Sequence, residues 1–371
     1  MYITFKKVIR HGNIQESIFD LSIDSFNNLQ PDETKIITAE KDDLTSYFVS
    51  HSNMNMYQIP KTELDKDKIR SMYSTFYIPK KSGGMRRIDA PNDDLKKYLS
   101  DVKDYLEKGL RILPNDAAHA YVQGRSTITS IKVHQANESK WFLKLDMKNF
   151  FPSHNKEYLY KMLSQVYPIS MLVKDQEYKD NLNNMLDYAL LNGELPQGTP
   201  LSPTLTNICM VPIDYQIKGK LNHLPDHLVY TRYADDILIS SQYKFDYKKV
   251  IKEIQKILEE NGCPFYINEE KTRFGSSAGS NWNLGVMLNK DNRMTVGHKQ
   301  NQRFRAALFS LLKDHEHGIR WPYEDRMVLG GQISYYMMVD PEYTQATIKR
   351  YEDRFAANIN YIIYKEDNET R

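Results

Sequence analysis

The chain has 371 residues, a formal net charge of +2 at neutral pH, 40% hydrophobic and 26% charged residues. Such a balance excludes a disordered chain, and the length allows two or three substructures around one continuous core. No run approaches the roughly 20 apolar residues of a membrane helix, and the opening residues lack an apolar stretch long enough for a signal peptide.

In chain order, residues 1–70 alternate short polar and apolar runs without recognisable chemistry and read as an N-terminal extension. Tyr77-Ile78-Pro79 enters the Gly83-Gly84 turn as a strand, and Arg86-Arg87-Ile88 leads back out. Apolar residues at Leu95, Tyr98, Leu99, Val102, Leu106 and Leu110 predict a helix across 95–110. Trp141 to Asp146 is an apolar run ending at an acid, the pattern of a buried strand that delivers a carboxylate to the sheet rim. A helix is predicted from Thr204 to Tyr215. His227–Ser241 reads as a hairpin tipped by Tyr233-Ala234-Asp235-Asp236. From Arg303 onward the pattern is helical, interrupted at Gly330-Gly331, with Tyr335 and Tyr336 expected in helical core packing.

Charge is uneven along the chain. From Lys80 to Arg111 there are nine Lys/Arg against six Asp/Glu, and from Lys290 to Arg320 seven against three. Either stretch alone is ordinary solvated surface; together they suit a phosphate backbone. Cys209 and Cys263 leave a single disulfide open, but isolated thiols without an export signal point to a reducing cytosol. No Cys/His cluster has zinc-finger spacing.

The acids carry the chemistry. Asp42-Asp43 and Asp93-Asp94 sit in polar surroundings, whereas Asp235-Asp236 interrupts an apolar segment. Carboxylates held on rigid strands repel and are costly to desolvate without a counter-charge. A divalent cation is the natural remedy, and Asp146 with Asp235 can bridge two Mg²⁺ ions. Ions about 4 Å apart would activate a hydroxyl nucleophile and stabilise a departing phosphate group. Leu195–Pro203 packs three prolines and a glycine into a rigid loop.

These stretches, across roughly 77–300, resemble the ordered blocks of reverse transcriptases: Asp146 with Phe150-Phe151-Pro152, then Pro196-Gln197-Gly198-Thr199-Pro200, Tyr233-Ala234-Asp235-Asp236, Asn268–Thr272 and Leu284-Gly285-Val286. The resemblance implies an α+β, right-hand polymerase with fingers, a palm of antiparallel sheet plus helices, and a helical thumb. Its bounds would be an N-terminal extension at 1–70, fingers at 71–140 with part of 152–195, palm at 141–290 and thumb at 291–371. Asp146, Asp235 and Asp236 match the catalytic acids, and Met147 joins them in the implied metal set. Phe151 matches the aromatic that excludes a 2′-hydroxyl, with Phe150 left to the core. Lys80, Arg86, Arg87, Gln197, Gly198 and Lys271 match the nucleotide site, with the choice between the two arginines open. Arg125, Tyr233, Leu284 and Gly285 match template or primer contacts, and the basic stretch carrying Lys299, Arg303 and Arg305 is the candidate RNA contact in the thumb; Ser126 beside Arg125 reads equally as a helix cap.

The resemblance is to bacterial enzymes, of retron or of defence-associated, abortive-infection type. The sequence after the primer-grip block is too short for an RNase H or maturase extension. Retron enzymes carry Asn-Ala-x-x-His and Val-Thr-Gly; here Ser130–His134 keeps the histidine and Met294–Gly297 is a scrambled match. The family implies RNA-directed DNA synthesis from dNTPs with two Mg²⁺ ions, Mn²⁺ as substitute, and a noncoding RNA template in cytoplasmic anti-phage defence. An effector or toxin protein and self-association stay open; no membrane is implied. The alternatives are template-independent or protein-primed DNA synthesis, and a non-catalytic RNA-binding scaffold, which would predict decayed acids.

Overall fold

A computed structural model of the chain describes residues 58–80, 83–277 and 285–365, with strand segments at 5–10, 13–15 and 34–37. It divides into Met1–Gln58 and Ile59–Arg371. The first unit carries β1 (Phe5–Arg10), β2 (Asn13–Gln15) and β3 (Thr34–Ile37), antiparallel in the order β2-β1-β3. The Asp42-Asp43 pair and Leu284 lie outside the described residues.

In the second unit the Gly83-Gly84 turn joins β4 (Tyr73–Pro79) to β5 (Met85–Pro91) as an antiparallel ribbon. Both glycines have positive φ, the conformation that a residue without Cβ adopts cheaply. Asn92 caps α1 (Asp93–Asp104) by accepting from the Leu95 amide, and Asp93-Asp94 fall in the first turn, where a helix favours negative charge. A π-helical turn at Tyr105–Gly109 completes the helix expected across 95–110. Ser126 caps α2 (Thr127–Ala136) in a capping box with Thr129, so the cap reading holds for that residue.

The central sheet has the order β10-β6-β8-β7, with β9 also on β6, built from β6 (Trp141–Lys148), β7 (Val229–Tyr233), β8 (Asp236–Ser241), β9 (Tyr266–Ile267) and β10 (Arg273–Ser276). All its pairings are antiparallel. β6 is buried nearly throughout because both its faces are covered, which is why it reads as an apolar run and not as an alternation. Short helices α3 (Phe150–Ser153), α4 (Lys156–Leu163) and α5 (Ile169–Leu172) precede α6 (Gln176–Ala189) and the long α7 (Ser202–Asn222). α7 begins with Pro203 in its first turn and runs well beyond the expected Tyr215, through an internal Pro212. Burial of one face carries it past a residue that local propensity disfavours. The amphipathic α8 (Tyr247–Glu260) follows the sheet hairpin.

After the small ribbon of β11 (Met287–Leu288) and β12 (Met294–Thr295) the chain is helical: α9 (His298–Glu316), α10 (Tyr323–Val339), α11 (Pro341–Phe355) and α12 (Ile359–Tyr364). The expected break at Gly330-Gly331 is absent; α10 runs through both glycines, and the chain turns instead around Gly318 and Pro322. A Cβ at Gly330 would overlap the Tyr364 hydroxyl of α12, so this glycine serves close helix packing. Phe304, Leu308, Leu312, Leu329, Ile333 and Ile363 form one apolar core with Ile131, Phe142 and Leu238 of α2 and the sheet. Tyr336 is buried there against the Phe304 ring, and Tyr335 packs at its edge. No helix among the described residues is long and apolar enough to cross a membrane.

Candidate active site

Antiparallel register puts Asp146 of β6 directly across from Asp236 of β8, while Tyr233 pairs with Asp236 to close a tight turn over Ala234 and Asp235. Ala234 has φ 57°, a left-handed conformation that costs a residue with a Cβ about 1 kcal/mol or more. The Asp235 carbonyl accepts from the Met147 amide at 3.0 Å, tying the turn to β6. Met147 itself is buried in the core.

Two of the three carboxylates have a lysine. Lys271 Nζ lies 3.0 and 3.1 Å from the Asp146 oxygens, and Asn268 Nδ2 donates to one of them at 3.2 Å. Lys144 Nζ donates to Asp236 at 3.0 Å. Asp235 has no ion pair among the described residues. Burial pushes its carboxyl up to about 6, and the negative charges of Asp236 and Asp146 add to this against the pull of Lys271. As the side chains stand, no three acids, histidines or cysteines among the described residues are grouped to hold a metal ion. The donor set nonetheless fits a hard divalent cation: it is carboxylate oxygen throughout, and Asp235 is a partly desolvated acid whose repulsion a cation would relieve.

Around the acids, Phe150 is locked in the core between His154 and Phe265, with ring centroids 5.0 Å from each, while Phe151 is only half-buried. The proline-rich loop docks on β5: the Asp89 amide donates to the Gln197 carbonyl at 2.7 Å, and a Cβ on Gly198 would stand 2.8 Å from the Asp89 carbonyl. Ser202 stiffens the loop, donating to the Pro196 carbonyl at 2.7 Å while its amide reaches Thr199 Oγ1. On the hairpin, Lys80, Arg86 and Arg87 are exposed, but Arg87 Nε is engaged by the buried Asp89 at 2.9 Å. Burial, with the charges of Asp235 and Tyr233, holds the Tyr121 hydroxyl above its ordinary value, and Arg86 pulls the other way. Arg125 Nη1 donates to the Asn115 and Ala118 carbonyls and holds a loop. On α9, Lys299 and Arg303 are exposed, whereas Arg305 donates to the Tyr343 hydroxyl at 2.8 Å. Gly285, at φ 105°, stands near the Tyr335 hydroxyl.

Several residues here were not anticipated. Lys144 and Tyr121 flank the acids, Asn268 was expected only as a member of its block and not as a partner of Asp146, and Arg232, an unremarked charge before the Tyr233 turn, is fully buried against Asp214. An arginine inside the apolar run of β7 was the available signal. His134, kept from the retron pattern, accepts or donates at both ring nitrogens, to Ser240 at 2.6 Å and Thr231 at 2.8 Å. Ser130, one helical turn earlier, shares Thr231 at 2.9 Å. A serine therefore does the strand-anchoring work at the first place of that motif.

An α+β fold with paired strand acids, a docked proline-rich loop and a C-terminal helical unit defines a right-hand nucleic-acid polymerase. Residues 78–305 match the family model described as "Reverse transcriptase (RNA-dependent DNA polymerase)", and the chain belongs to that family. Its curated relatives are of the bacterial retron type. It is 27% identical to Retron Mx65 reverse transcriptase of Myxococcus xanthus, over 89% of this chain and 77% of that one. It is 28% identical to Retron Ec73 reverse transcriptase of Escherichia coli, over 74% and 86%. Among solved structures, apo telomerase from Candida tropicalis truncated from its C-terminal domain aligns at 15% identity and TM-score 0.41, over 71% of this chain and 61% of that chain.

Proposed function

We propose that the chain copies a partner noncoding RNA into DNA from dNTPs, with Asp146 and Asp235 as principal metal-binding acids and Asp236 as the supporting one. The observation that carries this reading is the register of Asp146 opposite Asp236 with Asp235 at the turn between them. Mg²⁺ bound there would supply the Lewis acidity that lowers the primer hydroxyl's proton affinity and neutralises the phosphates. Lys271 and Lys144, the acids' present counter-charges, are ammonium groups that would be free to turn to the triphosphate once metal takes their place on the carboxylates. Of the hairpin arginines, Arg86 suits phosphate better, since Arg87 is engaged by Asp89. Half-buried Phe151 beside core-locked Phe150 supports its role as the sugar-side aromatic. We read 141–290 as palm, 71–140 as most of the fingers and 291–371 as thumb, with Lys299 and Arg303 as RNA contacts. The retron reverse transcriptase relatives support an RNA template; a place in cytoplasmic anti-phage defence is proposed on the family resemblance alone. Purified protein with Mg²⁺, an RNA template, a primer and labelled dNTPs is expected to extend the primer. An Asp235→Asn, Asp236→Asn variant that still extends it would overturn the assignment.

A further inference from the structure

Arg232 on β7, 1% exposed, is, with Arg326, one of two buried arginines among the described residues. Its Nε lies 2.9 and 3.2 Å from the two Asp214 oxygens and its Nη2 lies 2.8 Å from one of them. Asp214 also accepts from the Tyr230 hydroxyl at 2.6 Å. This leaves Nη1, which donates in two directions: to the Ala234 carbonyl at 3.1 Å and to Asn207 Oδ1 at 3.2 Å. Asn207 passes the connection on, donating to the Ala120 carbonyl at 2.8 Å. The Arg232 backbone closes the circuit, its amide donating to the Ala117 carbonyl at 2.7 Å and its carbonyl accepting from the His119 amide at 2.8 Å. One side chain thus joins α7, the turn that holds Asp235, and the 117–121 segment.

A buried ion pair is a weak device for stability, because desolvating two charges roughly cancels their attraction and an apolar pair of equal volume often does as well. What a guanidinium adds is direction, since its planar fork fixes several acceptors at once. Here the acceptor beyond the ion pair is the carbonyl of Ala234, the residue held at φ 57° next to Asp235. Tyr121, which the relay ends beside, is itself left-handed at φ 58° and is 56% exposed. Two strained residues at the site, each one bond from the same buried network, are strain that the surroundings over-determine.

We propose that Arg232 is a positioning residue for nucleotidyl transfer: through Nη1 it holds the strained turn that aims Asp235, and through Asn207 it fixes the Ala117–Tyr121 segment beside it. This rests on the polymerase reading, so wild-type primer extension is measured first; its absence would overturn that reading and not this one. The test replaces both charges together, Arg232→Met with Asp214→Leu, which leaves no unpaired buried ion. The double variant is expected to melt cooperatively near the wild-type temperature, bind template-primer with unchanged affinity and keep its dNTP KM within about threefold. Its kcat is expected to fall about 10- to 100-fold, the cost of a catalytic group misplaced by an ångström or so. Native-like melting with kcat within twofold of wild type would overturn the proposal. Should the double variant fail to fold, Arg232→Lys keeps a positive charge opposite Asp214 while removing the fork that reaches the Ala234 carbonyl and Asn207. A folded Arg232→Lys protein is expected to lose kcat severalfold at constant KM, and unchanged kcat in it would equally overturn the proposal.

Discussion

Gly198 offers a sharp test of how the proline-rich loop is held. Its φ is 125°, and a Cβ built on it would stand 2.8 Å from the Asp89 carbonyl oxygen and 2.9 Å from Ile88 Cγ2. Alanine there meets two costs. The backbone conformation costs about 1–3 kcal/mol for a residue with a Cβ. The overlap is with main chain, so the loop must lift from β5 and loosen the 2.7 Å bond from the Asp89 amide to the Gln197 carbonyl, about 1 kcal/mol more. Gly193 is the internal control: its φ is 80°, but nothing lies within 4 Å of its Cβ position, so alanine there meets only the backbone cost. Urea unfolding should place Gly198→Ala below wild type by about 3 kcal/mol and Gly193→Ala by about 1. Gly198→Ala should also raise the dNTP KM, because Gln197 and the arginine hairpin share this contact. Equal losses for the two variants, with unchanged KM, would refute the docking argument.

Three further outcomes follow from the geometry. Burial pushes the His134 imidazole down to about 3, so it stays neutral in the folded protein while the unfolded chain takes up a proton below about 6.5. Stability is therefore lost as pH falls below about 6.5, and a His134→Asn variant should lose about 2 kcal/mol less than wild type between pH 7 and 5; parallel melting curves against pH would contradict this. The Asp235 carboxyl, raised to about 6, contributes stability that is full below its ordinary value of 3.8 and lost as pH rises through 6. With metal chelated at pH 8, Asp235→Asn should thus be more stable than wild type by about 3 kcal/mol, and an equal or lower melting temperature would refute the repulsion argument. Within α10, Gly331→Ala meets nothing within 4 Å and should stabilise by about 1 kcal/mol, whereas Gly330→Ala must displace Tyr364 and should gain little or lose; thermal melts showing equal gains would remove the packing role assigned to Gly330.

The elements and the acids were legible locally. Apolar runs on either side of Asp235-Asp236 read as a hairpin because strand burial is written in consecutive residues, and the prolines around Gln197 read as a stiff loop because proline fixes φ wherever it stands. The order of the blocks was enough to mark the polymerase family. Gly330-Gly331 misled, since a glycine pair is the same in sequence whether it ends a helix or lets another helix approach; the Tyr364 contact decides, and it is made by a different helix. α7 outran its expected end for the same reason, its buried face outweighing Pro212.

What the linear chain determined by itself was the acids at the strand ends, their strands and the rigid loop, because each depends on residues adjacent or alternating along the backbone. Only the tertiary structure decided their partners. Lys271 meets Asp146 across 125 positions, Lys144 meets Asp236 across 92 and Asn207 reaches Ala120 across 87. Arg232, to which the sequence assigns no partner, becomes a buried anchor of the Asp235 turn because sheet register and helix packing put Asp214 in front of it. Charges of opposite sign are common in any sequence; which pair is desolvated together is settled by packing, and that choice fixes where Asp235 points.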